Sequence, residues 1–359
     1  MAESITLIDI DSKIPNLALM KLSAYFKKKG FKVTLCREVI PNDANYYFAS
    51  TVFNTEKSNM LAEFLRYRYG DALDIGGSGF SLEKRLPDEI EQCFPDYELY
   101  QHDKYAIGFL TRGCDRKCPF CLVPKKEGPK RVVGSFTDFV PDGQRNIMLL
   151  DDNLLSFPEA KCFLAEISKK NYAVNFSQSL DIQYLDEETY SWLKKIDSRN
   201  SKFTKKMYYF SCNSTRTIDE FMERKAFLKG FGKDAVTVIV MYGFNTHLSE
   251  DYKIMRMLRY LGLVPFFQQY QPIIGVDARV PEDFFDFDLN KVIRLTFRSN
   301  GINWEKYLRW LNKLYFATFG RYYYPLLEII YRYNNKQAIN RYLKNGHLLT
   351  NELYKKFNG

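Results

Sequence analysis

The sequence predicts an α/β protein with two successive runs of alternating strands and helices and a helical region behind them. Three observations carry this reading. Short β-branched or apolar runs recur as candidate strands. Between them lie segments whose apolar residues repeat at helical spacing. Lysines and glycines punctuate the ends of those segments, as helix C-termini favour. Strand–helix–strand units of this kind build parallel sheets.

In order along the chain, residues 4–10 (SITLIDI in its first seven) read as a buried strand. Residues 15–29 follow with Leu19, Leu22 and Phe26 on one face, closing in KKKG at Gly30. Strands are expected at 31–35, 45–50 and 72–75, with a helix over 57–69. This first run is a doubly wound parallel sheet over residues 1–100. The glycine-rich Gly76-Gly77-Ser78-Gly79 could pass a phosphate close to the backbone, or simply turn the chain. Residues 87–102 read as an irregular linker.

The pattern restarts at residue 101 and runs to 275. Strands are expected at 105–110, 146–150, 172–177, 206–211, 235–241 and 264–268, with helices over 158–170, 187–196, 218–229 and 249–261. Six such units amount to a partial (β/α)6 barrel, roughly three quarters of an eight-stranded one. Residues 276–359 form the third region, a helical cap with helices expected over 304–319 and 326–349.

Bulk composition narrows the class. The chain has 359 residues, 46% of them hydrophobic, enough for a sizeable core. No run approaches roughly 18 consecutive apolar residues, so no membrane span is expected. The N-terminus lacks a basic start followed by a long apolar stretch, so the expected location is cytoplasmic. Net charge is +9, concentrated after Gly301, where the only acids are Glu305, Glu328 and Glu352. Trp304, Lys306, Tyr307, Arg309 and Trp310 interleave aromatics with bases there. Such a face suits nucleic acid, or packing against a neighbouring domain.

There are seven cysteines, an odd number that argues against a disulfide framework. Three of them stand within eight residues, in the loop RGCDRKCPFCLVPKKEG from Arg112 to Gly128. The spacing is Cys-x3-Cys-x2-Cys at Cys114, Cys118 and Cys121, directly after a predicted strand. Thiolates bind iron–sulfur clusters, commonly one per iron. Three thiolates on a four-iron cubane leave one iron open. A zinc-binding module would need a fourth ligand, and histidine supply is thin, with His102, His247 and His347 the only ones.

This loop, with Phe120 just before its last cysteine, resembles the radical S-adenosylmethionine (SAM) superfamily over about residues 105–270. More narrowly it resembles the branch carrying an N-terminal, Rossmann-like domain of the cobalamin-binding type. The later LLDDN and FSQSLDI segments add to that likeness. The resemblance implies a 4Fe–4S cluster on Cys114, Cys118 and Cys121, with SAM chelating the open iron. It implies reductive cleavage of SAM, hydrogen abstraction from a substrate, and a reducing partner such as a flavodoxin or ferredoxin. The radical SAM methylthiotransferases share the RGC opening. This chain lacks their N-terminal cysteine triad, since only Cys36 and Cys93 precede the loop. Cobalamin is left open: the Asp-x-His-x-x-Gly motif that ligates cobalt is missing, because no histidine precedes His102.

The resemblance also points to residues at strand ends. Phe120 would lay its backbone against the SAM adenine. Asp152 and Asn153 stand where the family receives the SAM amino group; a cap for the following helix is the plainer role. Ser179 and, just after it, Asp181 belong to the pocket beyond the third strand, and Ser211 and Asn213 would bond the ribose. Cys212 could donate a hydrogen atom to a substrate radical, or be inert core. Val240 and Gly243 would pack on adenine, or belong to an ordinary buried strand. The rival to catalysis is a non-catalytic iron–sulfur protein that binds RNA or a partner.

Overall fold

A computed structural model of the chain describes residues 3–37, 44–102, 104–214, 216–232, 234–242, 244, 254, 257–258, 260–270 and 274. The helical cap expected over 276–359 and most of the helix expected over 249–261 lie outside the described residues, as does Gly243. The chain divides into two compact units. One comprises Met1–Phe210, Gly230–Ala235 and Gln271–Asp277; the other comprises Ser211–Lys229, Val236–Tyr270 and Ala278–Gly359.

The first unit begins with β1 (Ser4–Asp9), α1 (Leu17–Lys28), β2 (Lys32–Cys36), β3 (Tyr46–Ser50), α2 (Glu56–Tyr69) and β4 (Leu73–Gly76). The strands form one parallel sheet in the order β2-β1-β3-β4. Strand β1 is central and buried from Ile5 to Asp9. Its side chains alternate between faces. Ile5 and Leu7 pack with Leu19 and Leu22 of α1, and Ile8 packs with Ala62 and Leu65 of α2. Burial on both faces explains why Leu7 and Ile8 are apolar in succession rather than alternating with polar residues.

Local chemistry sets the helix ends. Asn16 caps α1 by accepting the Leu19 N–H at 3.2 Å, while its Nδ2 donates to Ser12 and Ser50. Thr55 caps α2 by accepting the Ser58 N–H at 3.2 Å. At the C-terminal edge of this sheet the Asp11 carboxylate accepts from the Val52 and Phe53 N–H groups and from the Thr51 and Ser58 hydroxyls.

The unit continues with α3 (Asp88–Glu91), β5 (Ala106–Gly108), β6 (Thr111–Arg112), α4 (Val123–Lys126), β7 (Arg131–Val132), β8 (Asn146–Leu149), α5 (Ala160–Lys169), β9 (Ala173–Phe176), α6 (Glu187–Lys195), β10 (Asp197–Ser198) and β11 (Tyr208–Ser211), the last residue of which opens the second unit. A second parallel sheet runs in the order β10-β9-β8-β5. Leu17 and Met20 of α1 pack against Tyr105, Ile107 and Met148, so one helix face seals both sheets.

The second unit holds α7 (Arg216–Glu223), most of α8 (Lys225–Gly230), β12 (Val236–Tyr242) and β13 (Val264–Gln269). Strands β12 and β13 pair in parallel from Thr237 opposite Val264 to Tyr242 opposite Gln269.

The α/β class with parallel sheets is the one the sequence predicts. Three local features differ. The helix expected over 218–229 is two helices that part at Arg224. The expected linker at 87–102 holds α3 and a single turn at Tyr97–Tyr100 capped by Asp96. The short hairpin of β6 and β7, two residues a side, has no periodicity to betray it. Among the described residues, no helix is long and apolar enough to cross a membrane.

Candidate cofactor site

The cysteine loop leaves and re-enters the fold through one narrow gate. Strands β6 and β7 pair antiparallel, Thr111 opposite Val132 and Arg112 opposite Arg131, and the whole loop hangs between them. Gly113 stands at the mouth with φ +87. A Cβ there would lie 2.7 Å from the Pro129 carbonyl oxygen and 2.8 Å from that of Gly128. Both the left-handed backbone and the rigid neighbours require glycine. Gly113→Ala is therefore expected to lower the midpoint of thermal unfolding and to loosen the loop. Limited proteolysis between residues 113 and 130 measures it, and an unchanged cleavage pattern would contradict the role.

Three successive residues after β8 grip this gate. Asp151 is buried and accepts from the Thr111 N–H at 2.6 Å, the Thr111 hydroxyl at 2.6 Å and the Leu110 N–H at 3.2 Å. Asp152 accepts the Gly113 N–H at 2.8 Å. Burial pushes both carboxyls up to about 6. Asn153 points its Nδ2 at the Cys114 sulfur, 3.4 Å away, and at Asp181 Oδ2, 3.1 Å away. Asn153 is 5% exposed, and its Oδ1 has no hydrogen-bond partner among the described residues. A buried amide oxygen left unsatisfied is costly, so it marks a place for a donor brought by a ligand.

Other side chains hold the rest of the loop. Arg112 is paired with Glu91 at 2.9 Å and Glu127 at 3.1 Å, and lies 3.9 Å over the Phe109 ring. Lys126 donates to the Ser81 and Lys84 carbonyls, and Lys130 reaches Asp115 and the Ser156 carbonyl. Arg116, between the first two cysteines, forms a 2.7 Å ion pair with Asp181. The sequence marks Asp181 only as a pocket neighbour and passes over Arg112, Arg116, Glu91 and Glu127. Their signal is the density of charge in RGCDRK, which reads equally as a solvated surface.

All three loop cysteines are half-buried. The Cys121 N–H donates to the Cys118 carbonyl at 3.0 Å, and the Cys121 sulfur accepts the Val123 N–H at 3.5 Å. Burial pushes the Cys121 thiol up to about 11 and raises Cys118 as well. Metal ligation takes the thiolate, so binding there would release these protons. Among the described residues, no group of three or more His, Cys, Asp or Glu is arranged to hold a metal ion. The donor chemistry fits a cluster, which takes one thiolate per iron and gains from N–H groups aimed at sulfur. The N–H donors of Asn153 and Val123 are of that kind.

The remaining predicted residues fall as follows. Phe120 is half-buried in the turn before Cys121. Ser179 adopts a left-handed φ of +65 and its hydroxyl donates to the Gln178 carbonyl. In the second unit, Ser211 is half-buried. Cys212 is fully buried, its thiol 3.7 Å from the Ser214 carbonyl and pushed by burial up to about 12. Asn213 accepts the Met241 N–H at 3.0 Å, and Val240 is buried in β12. Gly243 lies outside the described residues.

No family model matches the chain. Solved structures of SuiB from Streptococcus suis, one of them bound to S-adenosylmethionine, resemble it with a TM-score of 0.36 and 12% identity, over 68% of this chain and 59% of that one. Among curated proteins, the chain is 21% identical over 332 residues to a tRNA-2-methylthio-N(6)-dimethylallyladenosine synthase of Clostridium tetani. The match covers 83% of this chain and 69% of that protein. The synthase of the same name from Bdellovibrio bacteriovorus is 22% identical over 67% of this chain and 58% of its own length. The cysteine loop and a sequence likeness that extends across most of the chain together identify an enzyme of the radical SAM superfamily, which works with a 4Fe–4S cluster and S-adenosylmethionine.

Proposed function

We propose that this enzyme cleaves SAM reductively and abstracts hydrogen from a nucleotide of transfer RNA. The observation that carries the site is the unsatisfied Asn153 Oδ1, beside the Cys114 sulfur and sunk in the fold. Cys114, Cys118 and Cys121 would hold the cluster. Asn153 Oδ1 and the Asp152 carboxylate would receive the SAM ammonium, and Phe120 would line the adenine. When bound, the cluster supplies the electron that breaks the sulfonium bond to the ribose. The protein's part is to hold the loop rigid through Asp151, Asp152 and Arg112, and to keep the thiols half-buried.

The transfer RNA substrate is supported by the names of the similar synthases and by the net charge of +9, which favours phosphate-rich partners. The organisation we infer is a Rossmann-like domain over 1–100, a partial barrel over 101–275 and a helical, basic region over 276–359. A reducing partner and a cytoplasmic setting complete the proposal.

The test is anaerobic reconstitution followed by dithionite, SAM and bulk transfer RNA carrying deuterated nucleosides. The expected result is 5′-deoxyadenosine that contains deuterium. Unlabelled 5′-deoxyadenosine, formed at the same rate with and without the RNA, would reject the substrate while leaving SAM cleavage intact.

A further inference from the structure

Asp181 occupies an unusual position between two cysteines that it does not touch. One carboxylate oxygen takes the Arg116 guanidinium at 2.7 Å, and the Arg116 charge lies near enough to act electrostatically on the Cys118 thiol. The other oxygen accepts from Asn153 Nδ2 at 3.1 Å, and the same Nδ2 faces the Cys114 sulfur at 3.4 Å. Gln183 Nε2 adds a third donor at 3.0 Å. Asp181 is 7% exposed, so these bonds lie largely out of water. One arm of this buried carboxylate thus reaches the Cys114 sulfur, and the other holds a cation whose charge acts on the Cys118 thiol.

We propose, resting on the cluster assignment to Cys114, Cys118 and Cys121, that Asp181, Arg116 and Asn153 form a positioning hub that steadies the Cys114 sulfur through Asn153 and balances a carboxylate against a guanidinium beside the cluster, so that losing either charge moves its reduction potential. The physical reasoning is electrostatic. Adding an electron to a cluster already ringed by thiolates is opposed by nearby negative charge. It is favoured by positive charge and by N–H donors to sulfur. In the hub the carboxylate and the guanidinium oppose each other across a short distance. Their separate effects on the cluster are therefore of opposite sign and largely cancel. A carboxylate whose only task was to turn the chain would act differently. Asp181 does cap the turn at Ile182–Tyr184 by accepting the Gln183 N–H, and asparagine can keep that bond.

The experiment is an EPR-monitored potentiometric titration of the reconstituted full chain, without SAM, for the wild type, Asp181→Asn, Arg116→Gln and the double variant. Asp181→Asn leaves Arg116 unopposed, and its midpoint should shift upward. Arg116→Gln leaves Asp181 unopposed, and its midpoint should shift downward. The double variant should return close to the wild type. Shifts of the same sign, or none, overturn the hub while leaving the cluster assignment standing. If one single variant assembles no cluster, the double variant decides: assembly restored there supports the pair, and continued loss overturns it. A wild type that assembles no iron–sulfur cluster rejects the assignment and the hub together.

Discussion

Replacing Cys114, Cys118 or Cys121 by alanine is expected to remove SAM cleavage down to the background rate. Each iron of a cubane needs its own ligand, and this chain offers three thiols for four irons. Losing one leaves two irons open, and among the described residues no neighbouring cluster of His, Cys, Asp or Glu stands ready to replace it. The other four cysteines, Cys36, Cys93, Cys162 and Cys212, lie elsewhere in the sequence, and Cys162→Ala serves as the control that keeps full activity. Iron and sulfide content, the visible absorption of the reconstituted protein and 5′-deoxyadenosine yield measure the effect. A Cys118→Ala protein with a full cluster and wild-type yield would sink the ligand assignment.

The second large effect falls on stability. Asp151→Ala would leave two buried N–H groups and the Thr111 hydroxyl without their acceptor. At about 1–3 kcal/mol for each unsatisfied group, the expected loss is about 3 kcal/mol or more. The gate of the cysteine loop should open with it. Asp151→Asn keeps an acceptor and should fold. Its signature is in the pH dependence. Burial raises the Asp151 carboxyl from its ordinary value near 3.8 to about 6. The folded state therefore binds that proton more tightly than the unfolded chain. The group's contribution is fully present below about 4 and is lost as pH rises through 6. Relative to Asp151→Asn, the wild type should lose about 1 kcal/mol of stability between pH 5 and pH 7. Urea unfolding at the two pH values measures this, and parallel stability curves would reject the raised carboxyl.

The two sheets were legible because their signal is periodic. Strand β1 and helix α1 announce themselves through apolar spacing and a lysine-rich end, and so do β8 with α5 and β9 with α6. The candidate cluster ligands stood out for another reason: three thiols in eight residues have few other uses. What escaped the sequence depends on contacts between distant segments. Nothing local says that Glu91 will meet Arg112, or that Arg116 will turn toward Asp181 rather than to water. Asp152 shows the same limit. Its place after a strand is readable, while its bond to the Gly113 N–H, 39 positions back, appears only once the strands are paired.

The cysteine loop is fastened on one side by Ser81, Lys84 and Glu91, which precede it, and on the other by Asp151, Asp152 and Asp181, which follow it. During synthesis the chain emerges from its N-terminus, and domains fold as they appear. The seat for the loop's outer arm is thus built before the cysteines leave the ribosome. The inner clamp forms only after Asp181 has followed them. The full set of contacts around the three cysteines therefore exists only once the second parallel sheet has closed. The order of residues along the chain thereby becomes a timetable for maturation.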